Sequence, residues 1–251
     1  MPEIARLIGP PEANGEYVAL RDADLDEEVV HLHDYERLYR VPGLYEHVVQ
    51  DLLQCRSPQV AADGLAYALA RLAMDPAETV LLDVGAGTGI VGELVTAAGV
   101  PCVIGIDALE AARRACLRDR PGVYRDYLVG DLAAPLSDLL TRLRRHGPNA
   151  LISAGAMGGG THMPPRALVN AVSLMPGGAP VVFTIDERWM NTDDPGGFKT
   201  PMTELTGSGA LRLLRRTRFQ HRLSTTRSPI HYELVVAARG SDEAPLGAGT
   251  S

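Results

Sequence analysis

Three acids stand where apolar runs end. Asp83 closes Thr79-Val80-Leu81-Leu82, Asp107 closes Cys102-Val103-Ile104-Gly105-Ile106, and Asp131 closes Tyr127-Leu128-Val129-Gly130. After Asp83 come glycines at alternate positions, Gly85-Ala86-Gly87-Thr88-Gly89, and then Ile90-Val91-Gly92-Glu93-Leu94-Val95 with apolar residues at helical spacing. A short apolar run bounded by glycine predicts a buried parallel strand. Glycines at its carboxyl end let the chain turn sharply and let a ligand approach where a Cβ would block it. A carboxylate beside such a loop repels a pyrophosphate and attracts a cation. The spacing Gly85-x-Gly87-x-Gly89 also departs from the Gly-x-Gly-x-x-Gly of dinucleotide loops.

A ligand carrying both an ammonium and a sulfonium, such as S-adenosylmethionine, suits that acid better than NAD or FAD. Asp83-x-Gly85-x-Gly87-x-Gly89 after a strand resembles motif I of the class I S-adenosylmethionine-dependent methyltransferases. The resemblance implies that Asp107 takes the ribose hydroxyls, that Asp131 accepts from the adenine amino group, and that the Leu132 amide meets the ring. It further implies Gly85, Ala86, Gly87, Gly89, Ala108 and Ala154 along the cofactor, with S-adenosylhomocysteine as product. Three acids closing three successive strands are more specific than one glycine loop, although each alone also suits a helix N-cap.

Positioning those acids takes a regular alternation: strand 79–84, helix 89–98, strand 102–106, helix 108–118, strand 126–130, helix 135–146, strand 149–154, helix 164–174 and strand 179–185. Strands separated by about ten helical residues mean a parallel sheet with right-handed crossovers. Loop 186–198, a short helix near 200–208 and strands at about 211–220 and 230–238 follow, the last two as an antiparallel pair. The expected fold is an α/β, Rossmann-like, seven-stranded sheet of order 3-2-1-4-5-7-6 with a helical amino-terminal lid. The expected divisions are lid 1–75, cofactor-binding core 76–239 and a disordered Gly/Ala/Ser-rich tail 240–251.

Residues 1–30 are polar and mixed, with Pro10-Pro11, Asn14-Gly15 and an acidic run from Asp22 to Glu28, and are expected to form a loosely structured lead-in with a solvated acidic face. Tyr35, Leu38 and Tyr39 share a helical face that Pro42-Gly43 ends. A helix over 44–54 and another from Ser57 to about Met74 are expected, with Ser57 as N-cap and Pro58 at the first helical position. Tyr35, Tyr39 and Tyr45, with His31 and His33, form a cluster suited to a lid over a sulfonium, where cation–π attraction is available. Packing the lid onto the sheet would use the same tyrosines. His221, His231 and Tyr232 are assigned to structure.

Methyl transfer needs orientation and desolvation first, and a base only for a protonated acceptor. The loop after the fourth strand, Ser153 to Pro165, is small-residue-rich, and His162 is its only titratable side chain. His162 is therefore the candidate base, its alternative role being an exposed or capping histidine before helix 164–174. Pro164-Pro165 lacks the flanking residues of the Asp/Asn-Pro-Pro-Tyr motif, which counts against adenine-N6 and glutamine acceptors. Asp186 to Asn191, including Trp189, is expected at the acceptor rim. Arg212, Arg215, Arg216, Arg218, Arg222 and Arg227 should mostly face solvent, a patch for an anionic acceptor being the lesser alternative.

The chain has 251 residues and a formal charge of −7, enough for one full core and against a general nucleic-acid or anionic-membrane binder. Cys55, Cys102 and Cys116 are odd in number, widely spaced and without a Cys-x-x-Cys pair, so neither a disulfide framework nor a zinc site is indicated, and Cys102 suits a small core position. No metal is expected. Neither a signal peptide nor a membrane-length apolar run is seen, so a cytoplasmic protein is expected, with a homodimer left open.

His33-Asp34-Tyr35 to Tyr39, Pro42-Gly43-Leu44-Tyr45, Cys55-x-Ser57-Pro58, and Arg120-Pro121-Gly122-Val123-Tyr124 before Asp126-Tyr127-Leu128-Val129-x-Asp131 resemble a bacterial group of class I methyltransferases. More distantly, residues 30–239 resemble the Williams–Beuren-region methyltransferase-like proteins. Gly158-Gly159-Gly160-Thr161-His162 departs from some of these relatives. The expectation is methyl transfer to an oxygen or nitrogen on a small-molecule natural product. The alternatives are a protein of the same fold that binds the cofactor without methylating, as a cyclase or regulatory binder, and a nicotinamide-dependent oxidoreductase. The glycine spacing and the lack of a Tyr-x-x-x-Lys pair oppose the last.

Overall fold

The computed structural model describes residues 3–8, 15–21, 28–134, 137–158, 162–192 and 197–241. The chain opens with β1 (Glu3–Ile8), β2 (Tyr17–Arg21) and β3 (Glu28–His31), an antiparallel sheet with β2 in the middle. The expected loose lead-in is therefore corrected. Val18, Leu20 and Val30 are buried, and with Leu32 they cover Leu38, Leu44, Val48 and Leu53 of the helices that follow. The lid thus has a β layer as well as a helical one. The acidic stretch over 22–27 and the tail over 242–251 lie outside the described residues.

Asp34 caps α1 (Tyr35–Arg40) by accepting from the Arg37 amide at 3.1 Å, and Gly43 at φ 69° starts α2 (Leu44–Glu46). The chain then widens into a π-helical turn, His47–Leu52, in place of the expected regular helix over 44–54. Helix α3 (Ser57–Arg71) is capped at Arg56 rather than Ser57. Ser57 lies inside the helix, and its hydroxyl is engaged elsewhere.

The main sheet is built from β4 (Val80–Val84), β5 (Cys102–Asp107), β6 (Asp126–Val129), β7 (Ala150–Met157), β8 (Pro180–Asp186), β9 (Leu211–Leu223) and β10 (Pro229–Arg239). Its order is β6-β5-β4-β7-β8-β10-β9, as the alternation predicts. The first five strands are parallel and β10 is antiparallel to both of its neighbours. Between them run α4 (Ile90–Ala97), α5 (Glu110–Asp119), α6 (Ser137–Arg145), α7 (Pro165–Val172), α8 (Glu187–Met190) and α9 (Lys199–Gly207). Helix α8 falls within the predicted loop 186–198.

Successive residues of a strand point to opposite faces. On one face Leu81, Val103, Ile152, Val182 and Leu234 meet α3 and α4, while on the other Leu82, Ile104, Ile106, Leu151 and Val181 meet α7. Burial on both faces is why these strands read as unbroken apolar runs. Helix α3 crosses the sheet closely at Gly64, where a Cβ would stand 3.1 Å from both Leu234 Cδ1 and Val182 Cγ1. Trp189 packs partly buried against the core, not at the acceptor rim. Cys102 is only half-buried.

Most of the arginines in question face outward, with Arg215 stacked over Tyr67 and Arg218 paired with Glu187. Arg222 is the exception: it is buried and paired with Glu16. Among the described residues no helix is long and apolar enough to cross a membrane.

Gly64→Leu is expected to overpack the α3–sheet contact and cost about 1–3 kcal/mol. Urea denaturation should show this as a lower midpoint at unchanged slope.

Candidate functional site

Parallel strands leave their carboxyl ends on one edge, and the loops there enclose a cavity of about 580 Å³. That size lies within the usual range for small-molecule sites. The lid forms its roof. Strand β9 runs alongside β8 in direction, and β10 starts where β8 ends, so the closing hairpin also delivers His221, Arg222, Ile230 and Tyr232 to this edge.

The floor is the glycine loop. Gly85, Gly87 and Gly89 have φ of 73°, 54° and 91°, which L side chains adopt at a cost. Space is also short, since a Cβ on Gly85 would stand 2.4 Å from the Ala156 Cβ. The Gly85 and Ala86 amides donate to the Ile106 carbonyl at 2.9 and 3.0 Å. The Gly87 amide donates to Asp107 Oδ2 and the Leu109 amide to Asp107 Oδ1, both at 3.0 Å. The Tyr127 hydroxyl donates to the Gly87 carbonyl at 2.8 Å. Burial raises the Asp107 pKa, and the amides of Leu109, Gly87 and Ala108 oppose that rise. Asp131 faces the cavity from the end of β6, its Oδ1 accepting from the Ala133 amide at 2.7 Å.

The expected convergence of three acids is corrected to two. Asp83 is not in the cavity wall; it is buried under the loop, where Oδ2 accepts from the Tyr124 hydroxyl at 2.6 Å and Oδ1 has no partner. The physical reason is parity: Asp83 shares its strand face with Leu81, which packs under α3 and α4. Burial pushes the Asp83 pKa up to about 7, against the lowering by Tyr124 and with a further push from Asp107. Gly89 is likewise outside the wall; a Cβ there would meet Cys116 Sγ at 2.9 Å. The other expected cofactor residues, Tyr35, Tyr39, Gly85, Ala86, Gly87, Asp107, Ala108, Asp131, Leu132 and Ala154, all line the cavity, as does His162.

Tyr35, Tyr39 and Tyr45 stand with ring centroids 5.0–6.2 Å apart, forming an aromatic patch above the loop. The Tyr39 hydroxyl oxygen lies 3.1 Å from where a Gly87 Cβ would be. The lid is clamped to the core through Glu46, which accepts from the Thr88 hydroxyl at 2.6 Å and from Arg120 at 2.7 Å. Arg118 adds a bond to the Tyr39 carbonyl at 3.1 Å.

At the other end of the cavity stand His33, His162 and His221. The rings of His33 and His162 are 5.0 Å apart at 77°. His221 stacks on Tyr232 at 3.8 Å, and its Nδ1 is 2.7 Å from the Ser57 hydroxyl oxygen. The sequence places His33 in the lid cluster, gives His221, Glu16 and Ser57 no part in the site, and gives Arg222 one only through the lesser alternative of an anionic-acceptor patch. Ser57 and His221 are 164 residues apart, so no local pattern could have joined them.

The residues fit the expected nucleoside sulfonium. Glycine backbone with no room for Cβ, carboxylates at two strand ends and an aromatic patch suit a cationic, hydroxyl-bearing ligand.

No family model and no curated protein matches the sequence. Among solved structures, the chain is similar to the N-methyltransferase NodS of Bradyrhizobium japonicum in complex with S-adenosylhomocysteine. The TM-score is 0.55 at 17% identity, over 83% of this chain and 97% of that one. A candidate RNA methyltransferase from Pyrococcus horikoshii gives 0.52 at 17% identity, over 74% and 88%. Magnesium protoporphyrin IX methyltransferase of Synechocystis, solved with S-adenosylmethionine, gives 0.50 at 14% identity, over 73% and 79%.

Because the folded-state pKa of Asp83 is raised, its protonated form stabilises the fold at low pH, and that contribution is lost as pH rises from about 4 through about 7. Asp83→Asn should therefore raise the melting temperature at pH 8, by an amount equivalent to about 2–4 kcal/mol, and change it little at pH 4. Differential scanning calorimetry at the two pH values checks this. Strand order, glycine loop, strand-end acids and structural neighbours agree: the chain has the fold of the class I S-adenosylmethionine-dependent methyltransferases.

Proposed function

We propose that the protein is an S-adenosylmethionine-dependent methyltransferase acting on an oxygen or nitrogen of a small molecule, in the tailoring of a natural product. The observation that carries this reading is the Asp107–Gly87 hydrogen bond at the floor of a roofed cavity. It sets a glycine loop and a strand-end acid side by side, as a ribose-bearing ligand requires. Residues 1–56 act as the lid, and α3, although within the expected lid 1–75, packs on the sheet as part of the cofactor-binding core that runs to residue 239.

Asp107 would hold the ribose hydroxyls, Asp131 and the Leu132 amide the adenine, and Gly85 to Gly87 the amino-acid portion. Tyr35 and Tyr39 would face the sulfonium. When bound, the cofactor supplies a methyl group on a cationic sulfur, a carbon electrophile with a good leaving group. The chain supplies orientation and exclusion of water through the lid. Asp83 acts from beneath the loop, where it accepts from the Tyr124 hydroxyl. His162 is the base that takes the acceptor proton.

A small acceptor is favoured over a nucleic acid by the roofed cavity and by the pairing of its inner charges, Glu16 with Arg222 and Asp186 with Arg188. Phosphate recognition would need unpaired cations there.

Titration calorimetry is expected to show S-adenosylhomocysteine binding that Asp107→Asn weakens at least tenfold, because the amide must turn a donor toward the Gly87 or Leu109 amide. Absence of binding to the wild-type protein would sink the reading. With methyl-labelled cofactor and an accepted substrate, His162→Ala should lower kcat at least tenfold and leave S-adenosylhomocysteine affinity within twofold. Unchanged kcat would remove the base, and tight cofactor binding without label transfer to any acceptor would mark a binder instead.

A further inference from the structure

The acceptor end of the cavity has an unusual balance of charge. His33 enters from the turn after β3, His162 from the segment before α7, and His221 from β9. Among the described residues, Glu16 and Asp186 are the carboxylates of this wall shielded from solvent, and both are engaged, while Asp34 and Glu36 beside His33 are exposed. Glu16 accepts from Arg222 at 2.5 and 3.0 Å and from the Thr225 amide at 2.8 Å. Asp186 is gripped by the Arg188 guanidinium at 2.6–3.2 Å and by the Arg188 amide at 2.9 Å. Asp34, next to His33, caps α1. The two arginines are engaged by the same contacts. Away from solvent, a cationic acceptor thus meets carboxylates already neutralised by guanidinium groups, and an anionic one meets guanidinium groups already neutralised by carboxylates.

Among the described residues, what remains for recognition away from solvent is imidazole. Burial, then the neighbouring His162, Arg222 and His31, push the His33 pKa down to about 4 against a small opposing pull from Glu16. Burial, with Arg222, His162 and His33, also depresses His221 well below its ordinary value. Both rings are therefore neutral at neutral pH, each with one N–H donor and one lone pair. The Ser57 hydroxyl occupies Nδ1 of His221, leaving Nε2 as its remaining hydrogen-bonding atom. The surroundings are flat and ring-lined: Tyr35 lies 5.9 Å from His33, and Tyr232 stacks on His221.

Resting on the methyltransferase reading, we infer that the acceptor is an un-ionised hydroxyl on an aromatic ring, and that His33 and His221 recognise it as neutral imidazoles beside the base His162. The phenolic oxygen bonds to the methyl carbon as the carbon–sulfur bond breaks, its electron pair going to sulfur. The hydroxyl proton passes to a ring nitrogen of His162 and leaves from the imidazolium to water. A neutral hydroxyl is an acceptor for which a base is required.

Three probes of one shape test the inference: 2-naphthol, 2-naphthoate and 2-naphthylmethylamine, neutral, anionic and cationic at pH 7.5. Each is titrated calorimetrically into protein first saturated with S-adenosylhomocysteine. Expected is 2-naphthol binding at least tenfold tighter than either charged probe. His33→Phe should bring the naphthol-to-naphthoate ratio towards one with S-adenosylhomocysteine affinity within twofold. Ser57→Ala, a milder change than removing His221, should lower naphthol affinity about three- to tenfold. Equal or tighter binding of a charged probe, binding of none of the three, or an unchanged ratio in His33→Phe would overturn the inference while the cofactor reading stands. Failure in the saturation step itself would overturn both.

Discussion

A single carboxylate ties the upper edge of the sheet together. Asp107 ends β5 and receives two backbone amides from different loops, Gly87 on one side and Leu109 on the other. Each amide would otherwise lie near a partly closed cavity without a protein acceptor, and such groups are costly to leave unmade. Through these bonds the second strand end dictates the shape of the loop after the first. Tyr127 reinforces the arrangement from β6 by donating to the Gly87 carbonyl. Three adjacent strands are thereby registered at one point, the point where a ribose-bearing ligand would rest.

The lid is held by polar contacts at both ends and by apolar packing between. Near the glycine loop, Glu46 joins the Thr88 hydroxyl to Arg120, and Arg120 also reaches Glu93 and the Thr88 carbonyl. At the far end the Leu223 amide donates to the Leu53 carbonyl and the Arg56 amide to the His221 carbonyl, each at 2.7 Å. The Glu16–Arg222 pair then links the amino-terminal sheet to the closing hairpin. Burial alone would raise the Glu16 pKa, yet Arg222 and the Thr225 amide hold it below its ordinary value, as expected for a carboxylate that stays charged with its partner. The π-helical turn matters here because it re-aims one segment: Val49 and Gln50 line the cavity, while Val48 stays in the lid core.

Legibility in the sequence followed the range of the interactions. The strands and helices of the sheet were readable because burial on both faces writes continuous apolar runs, and helical crossovers write a different period between them. Asp107, Asp131 and the glycines were readable because each sits at a strand end marked by that change of period. The first 30 residues were not, since short strands carry little periodic signal and their partners come from one another and from later helices. Ser57 illustrates the same limit: by type and position it suits an N-cap, but the N-cap is Arg56 and the Ser57 hydroxyl meets His221 instead.

Side-chain pattern and chain order thus determined the fold class, the strand order and the place of the glycine loop, because these depend on local conformational preference and on which faces must be buried. Tertiary structure decided which chemistry-bearing groups share the cavity. Strand parity sent Asp83 beneath the loop, core packing drew Trp189 away, and the antiparallel hairpin delivered His221 and Arg222 beside His33 and Glu16. Those outcomes depend on contacts between residues far apart in the chain, and on the cost of burying charge unpaired. Neither is encoded in any single stretch of sequence.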